Sequence, residues 1–283
     1  MDPRVFRRFC EIAYSQAGIS IKEGKESLVS ARVAKRVRSL GLSSEKEYLA
    51  HLEADETGDE LVSFLDAIST NYTRFFREPD HFDAVATAVG RWSAAGQRRF
   101  KLWSAASSSG EEPYTLAITL LERCPGVEFE LLATDISTRV LGRASAAVYD
   151  AGIHETVARP LLDRYFVRGH DADGDPTYTV APAVRRRLLF RRLNLAEVPY
   201  PMRGPLDIVF CRNVMIYFDL AGRQKVVSEV ERLLKPGGMF VVGHSETLEG
   251  TRSSLRRIGS SVFCKPSVGS RRSMRPLAKA GAT

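Results

Sequence analysis

Long apolar runs are missing from this sequence. No stretch of its 283 residues approaches the ~20 consecutive apolar residues that cross a bilayer as a helix. The opening MDPRVFRRFCEIAY is amphipathic and lacks the apolar stretch of a secretory signal. Cysteine is scarce and scattered: Cys10, Cys124, Cys211 and Cys264 stand far apart with no CxxC, so we expect reduced thiols in a cytoplasmic protein. The five histidines form no HExxH and no His/Cys cluster, which gives the expectation of no metal. Glycine is short where it would be most telling. The turn in WSAASSSGEEPY (103–114) carries only Gly110, whereas a dinucleotide loop carries three glycines.

The apolar share of 44% and charged share of 27% are those of an ordinary globular chain, long enough for one large and one smaller domain. The net charge of +7 suggests an anionic partner. Basic residues cluster at Arg185-Arg186-Arg187 and Arg191-Arg192. Residues 267–283 form a basic, Ser/Gly/Ala-rich tail without periodicity, expected to be disordered.

Residues 1–66 read as an all-helical domain. Phe6, Phe9, Cys10 and Ala13 repeat at helical spacing before Gly18, and Val29, Val33, Val37 and Leu40 make a stripe within Ile21 to Leu40. Lys25, Arg32 and Arg36 project within about 40° of one another beside that stripe, as a solvated face or as a docking face for an acidic helix. Glu45 to Leu52 and Glu60 to Ser69 give two further helices, and residues 67–90 a linker and helix. From residue 91 to 266 strands and helices alternate: FKLWSA, PYTLAITLLERC, FELLATDIS, a helix near Val140, LDIVFC, Ala221 to Leu234, MFVVGHS and SSVFCKP. This predicts an α/β, doubly wound, mostly parallel sheet. The turn DADGDP (171–176) before TYTV predicts a small inserted β-hairpin near 167–190.

Ligands of such sheets bind at the carboxyl ends of the strands. The small residues Ala105 to Gly110 permit close approach by a ligand. Asp135, 25 residues beyond Gly110, ends the second strand, where an acid holds ribose hydroxyls. Glu111 and Glu112 at the mouth would repel a pyrophosphate, though they also suit a helix N-terminus. An adenosine ligand follows, and the charge favours S-adenosylmethionine (SAM), with its sulfonium and amino groups, over a dinucleotide.

The segments TNYTRFFRE (70–78), WSAASSSGEEPY (103–114), ATDIS (133–137), LNL (193–195), FCRNVMIYFD (210–219) and LLKPGGMFVVGHSE (233–246) occur in order with compatible spacing. Together they resemble the chemotaxis receptor methyltransferases, SAM-dependent protein-glutamate O-methyltransferases, from about residue 4 to 266. That resemblance implies a SAM-methyltransferase sheet domain behind a helical domain. It implies that Asn71, Thr73 and Arg77 fold over the cofactor, that Ala106 and Gly110 lie against its methionine portion, and that Glu112 faces it. Asp135 would hold the ribose, Asn194 and Leu195 border the adenine, and Arg212 and Asn213 stand near the methionine end. Tyr217 would lie beside the transferred methyl, and Arg77 would orient the incoming carboxylate. The implied partner is the cytoplasmic helical bundle of a chemoreceptor, met by Lys25, Arg32 and Arg36, with no nucleic acid, no membrane insertion and a monomeric enzyme. Two other readings are a SAM-dependent nucleic-acid methyltransferase and a non-catalytic SAM-sensing adaptor. The strand ending in FCRN lacks the (D/N)PP(Y/F) of base N-methyltransferases, which argues against the first.

Overall fold

The computed structural model describes residues 1–69 and 72–267. Four helices open the chain: α1 (Pro3–Ala17), α2 (Glu26–Ser39), α3 (Glu45–Glu53) and α4 (Asp59–Ile68). Helix α1 starts where the Asp2 side chain accepts the backbone N–H groups of Arg4 and Val5 ahead of Pro3, and it stops at Gly18 with φ 67°. Its buried stripe is Val5, Phe9, Ala13 and Ala17, at a spacing of four, so Phe6 and Cys10 stand at the edge of the expected face rather than at its centre. These side chains pack on Val29, Val33, Tyr48, Leu52, Phe64 and Ile68.

Helix α2 begins at Glu26, five residues later than the periodicity of Ile21 to Leu40 suggests, and Lys25 stands outside it. The buried carboxylate of Glu60 explains the fate of its basic face. Glu60 accepts a forked pair from Arg36 at 3.0 and 2.5 Å and the Tyr48 hydroxyl at 2.6 Å. Arg32 donates to the carbonyls of Ala67 and Ile68 at the end of α4. Arg36→Ala should therefore destabilise the helical domain by on the order of 2–3 kcal/mol, because it strips a buried carboxylate of its cation. Thermal melting monitored by circular dichroism checks this; an unshifted melt contradicts it.

Helix α5 (Asp80–Ala94) belongs to the sheet domain rather than to a linker: Phe82, Val85, Ala86, Ala88 and Val89 enter the same core as β1 (Arg99–Ser104). Next come α6 (Glu111–Arg123), β2 (Glu128–Asp135), α7 (Thr138–Ala146), β3 (Val148–Asp150), α8 (Arg159–Tyr165), β4 (Phe166–His170), β5 (Pro176–Val180), α9 (Pro182–Arg185) and β6 (Leu188–Arg192). The chain continues through β7 (Leu206–Phe210), α10 (Leu220–Leu233), β8 (Leu234–Val241), β9 (Arg256–Gly259) and β10 (Val262–Cys264). The main sheet has the order β6-β2-β1-β7-β8-β10-β9. Its first five strands are parallel, and β10 turns back antiparallel on β8. Central β7 is buried at every residue, as its unbroken apolar run requires.

The inserted unit is larger than a hairpin. Strands β4 and β5 pair across the DADGD turn as expected, and β3 adds a third strand on the other side of β5. Residues 188–192 leave that unit and form the edge strand β6 of the main sheet. The tail expected to be disordered falls on residues 268–283, outside the described residues apart from Ser267.

Candidate active site

A cleft opens at the carboxyl ends of β1, β2 and β7, where the strand order places the ligand crevice of a doubly wound sheet. Ala105, Ala106 and Ser108 line it from the loop after β1, Asp135 from the end of β2, and Arg212 and Asn213 from the turn after β7. The helical domain supplies the facing wall through Ala17, Ile19 and Leu65, and the segment holding Thr73 and Arg77 crosses over it. Side-chain contacts join the two domains beside the cleft. Asp66 accepts from Arg139 at 2.7 Å and from Ser137 at 3.1 Å, and Asn194 donates to the Gln16 carbonyl at 2.7 Å.

The loop after β1 reaches its shape through Gly110, whose φ of 100° sets the turn into α6. A Cβ at Gly110 would meet the Tyr149 hydroxyl at 2.9 Å and Ala144 at 3.0 Å. Gly110 is not among the residues that line the cleft, and the part visible for it is conformational. Of the two acids, Glu112 enters the cleft, while Glu111 is held by the Ser109 hydroxyl. As neighbours at the start of α6 they point about 100° apart, and Ser104 and Arg212 hold Glu112 on the cleft side.

Arg212 knots the site together. Only 5% exposed, its guanidinium donates to Glu112 at 3.0 Å, to Glu78 at 3.0 Å and to the Arg77 carbonyl at 2.6 Å, and lies beside the rings of Phe82 and Phe210. Arg212 thus serves two carboxylates, and of these Glu112 lines the cleft, where Asp66 and Asp135 also stand and Arg74 and Arg77 balance them. Burial pushes the Glu112 carboxyl up, and Arg212 opposes that shift. Burial acts the same way on Glu78, but the charge and hydrogen bond of Arg212 hold it below the usual carboxylate range. Asp135 is raised by burial, against the N–H groups of Ser137 and Ser108 that it accepts at 3.0 and 2.9 Å. Such a lining suits a ligand carrying hydroxyls and positive charge.

Thr73, Arg77, Ala106, Glu112, Asp135, Asn194, Leu195, Arg212, Asn213 and Tyr217 all come together at this one cleft. Leu195 serves twice, since it also enters the core beneath β7. Asn71 lies outside the described residues. Lys25, Arg32 and Arg36 stand away from the cleft, with Arg32 and Arg36 bonded to α4 of their own domain. Glu78, Asp66 and Glu246 escaped the sequence reading, because no local spacing announces a partner that arrives from another element.

The fold also assembles Glu78, His81 and His244, with one ligand atom of each within 4.8 Å of the others, although no metal-ligand spacing was visible. His81 is fully buried, and burial followed by the Arg212 charge pushes it down to about 4. It is therefore neutral at pH 7, and its 3.4 Å approach to Glu78 is no ion pair. The Arg212 guanidinium already occupies Glu78, so a divalent ion there would stand against a fixed cation. The donor set fits a metal poorly.

Residues 71–264 match the family described as CheR methyltransferase, SAM binding domain, and residues 4–69 match its all-alpha domain. The chain is 37% identical to a chemotaxis protein methyltransferase of Salmonella typhimurium over 261 residues, 91% of this chain and 88% of that protein. It is 38% identical over 260 residues to chemotaxis protein methyltransferase 2 of Pseudomonas aeruginosa, covering 91% of each chain. A helical domain walling a cleft at the strand ends of a sheet domain agrees with the two domains of that family description. The chain belongs to the CheR methyltransferase family and is a methyltransferase.

Proposed function

We propose that the enzyme transfers the methyl group of SAM to glutamate side chains of chemoreceptors, forming glutamyl methyl esters. The observation that carries this reading is the lining of the cleft. Among the described residues it holds no histidine, cysteine or lysine to serve as a base or nucleophile. A carboxylate acceptor needs none, because it is already ionised at neutral pH. When bound, SAM supplies an electrophilic methyl: a carboxylate C–O bond forms as the S–CH3 bond breaks, and S-adenosylhomocysteine leaves.

The chain's own residues bind and orient. Asp135 holds the ribose hydroxyls, Asn194 and Leu195 border the adenine, and Ala106 lies against the methionine portion. Glu112 meets the cationic end, while Thr73, Arg212 and Asn213 complete the methionine side. Arg77 lines the cleft with its guanidinium donating to the Tyr72 carbonyl and its Nε 3.9 Å from Glu78, and its role is to orient the incoming carboxylate. Tyr217 lines the same cleft, and its role is to flank the transferred methyl. Alignment and exclusion of water supply the rate. On the helical domain, exposed Lys25 is left to meet the acidic receptor bundle.

Incubation with methyl-labelled SAM and receptor cytoplasmic domains tests this. Base-labile label on the receptor is expected; label on RNA, or none on either, defeats the reading. In the same assay Arg77→Ala should lower kcat/KM for the receptor about 100-fold while SAM affinity changes less than about three-fold. Near-normal turnover would remove the orienting role of Arg77, and Lys25→Glu should raise the receptor KM alone.

A further inference from the structure

The turn after β7 carries Arg212, Asn213 and Tyr217, yet its backbone is not held by the sheet beyond Cys211, whose N–H donates to Val241. Two of its amides find their acceptor on a side chain that arrives from after β8. The Glu246 carboxylate accepts the N–H of Asn213 at 2.7 Å with one oxygen and that of Ile216 at 3.3 Å with the other. The first oxygen also takes the N–H of Gly243 at 2.7 Å. Glu246 is 8% exposed, and no Lys, Arg or His is ion-paired with it among the described residues. A buried anion without a cation is costly unless donors surround it, and here those donors are backbone amides.

The held conformation is one that the turn would not adopt freely. Asn213 sits in the left-handed region at φ 58°, tolerated by asparagine at some cost. Residues 215–217 then form a single tight turn that ends on Tyr217, whose carbonyl accepts the Ser20 N–H at 2.7 Å. Gly243 belongs to the same unit. A Cβ at this position would collide with the Asn213 side-chain amide and come within 2.9 Å of Glu246 Oε2.

We propose that Glu246 is a positioning residue for methyl transfer: its buried carboxylate clamps the turn that presents Asn213 and Tyr217, and Gly243 leaves room for the clamp. The role of Tyr217 rests on the function proposed above. Glu246 does not line the cleft and acts through the turn. The adenosine end, held by Asp135, Asn194 and Leu195, does not hang on it.

Glu246→Gln offers one oxygen and turns an NH2 group toward N–H donors. Three measurements on the full chain test the clamp: site counting with S-adenosylhomocysteine, turnover per counted site, and amide hydrogen exchange across residues 211–218. We expect Glu246→Gln to bind S-adenosylhomocysteine at full stoichiometry with Kd raised no more than about five-fold, while turnover per site falls about 30-fold. Exchange at Asn213 and Ile216 should quicken by about ten-fold or more. Gly243→Ala should give the same pattern, and it decides the matter alone if Glu246→Gln does not fold. A merely structural role would lower the number of binding sites and leave turnover per site unchanged. Wild-type turnover per site in either folded variant, or unchanged exchange at 211–218, overturns the proposal. If the wild-type enzyme makes no base-labile ester, the glutamate reading fails instead, and exchange with site counting still tests the clamp.

Discussion

Arg212→Leu should lower the stability of the sheet domain by about 3–5 kcal/mol, because it leaves two largely buried carboxylates without their shared cation. For a domain of this size that corresponds to a fall in Tm of about 10 °C or more. Glu78 and Glu112 lie at 3.0 Å from the guanidinium, and the Arg77 carbonyl loses its donor as well. The deficit has a pH signature. Glu112 is already pushed up by burial, with Arg212 opposing the shift. Without that opposition its folded-state pKa rises further, so the folded protein takes up protons before the unfolded chain does. The stability lost in the variant therefore returns in part as pH falls through this raised pKa, and the gap to wild type is widest at neutral pH. Melts at pH 7.5 and 5.5 read both effects. A loss below about 1 kcal/mol, or a gap that widens in acid, would contradict the shared-cation account. Arg212→Lys should restore only part of the loss, since one ammonium lacks the planar fork that spans two carboxylates.

Asp135→Ala should raise the Kd for S-adenosylhomocysteine about 100-fold, roughly 2.8 kcal/mol. Two consequences of the substitution add. The N–H groups of Ser108 and Ser137 lose the acceptor that shapes both loops, and the ribose hydroxyls lose a charged partner. An analogue lacking the ribose 2′-hydroxyl separates them: it should bind wild type more weakly than the parent ligand, yet bind Asp135→Ala almost as well as the parent does. Equal losses in both proteins would show that Asp135 only shapes the loops. Titration calorimetry provides the four affinities required.

Most cleft residues legible beforehand sit at a strand end or just after it, while Thr73 and Arg77, between α4 and α5, were named only through the family resemblance. Ala106, Asp135 and Arg212 are placed by a chain reversal whose location follows from an apolar run and the polar turn after it. Gly110 shows the limit of that logic. Its position was readable, but its contact was not, because its neighbours Ala144 and Tyr149 come from α7 and β3. Arg32 and Arg36 show it again: the helical wheel put them on one face, and only the packing of α4 revealed Glu60 and the Ala67 and Ile68 carbonyls as their partners. Strand β6 was hidden within a basic segment, since an edge strand beside β2 needs no apolar run on both faces.

By itself the sequence determined the alternation of strands and helices, the separate helical domain and a ligand crevice at the strand ends with acids at its mouth. Each of these depends on local period, local turn chemistry or the sign of nearby charge. Tertiary structure alone decided that Arg212 is shared by Glu78 and Glu112, that Glu246 holds the turn of Asn213 and Ile216, and that the helical domain closes the cleft. Those pairings join residues some 30 to 135 positions apart. A carboxylate looks the same in a sequence whether it is solvated or buried, and its partner is chosen only when the sheet brings the two ends together.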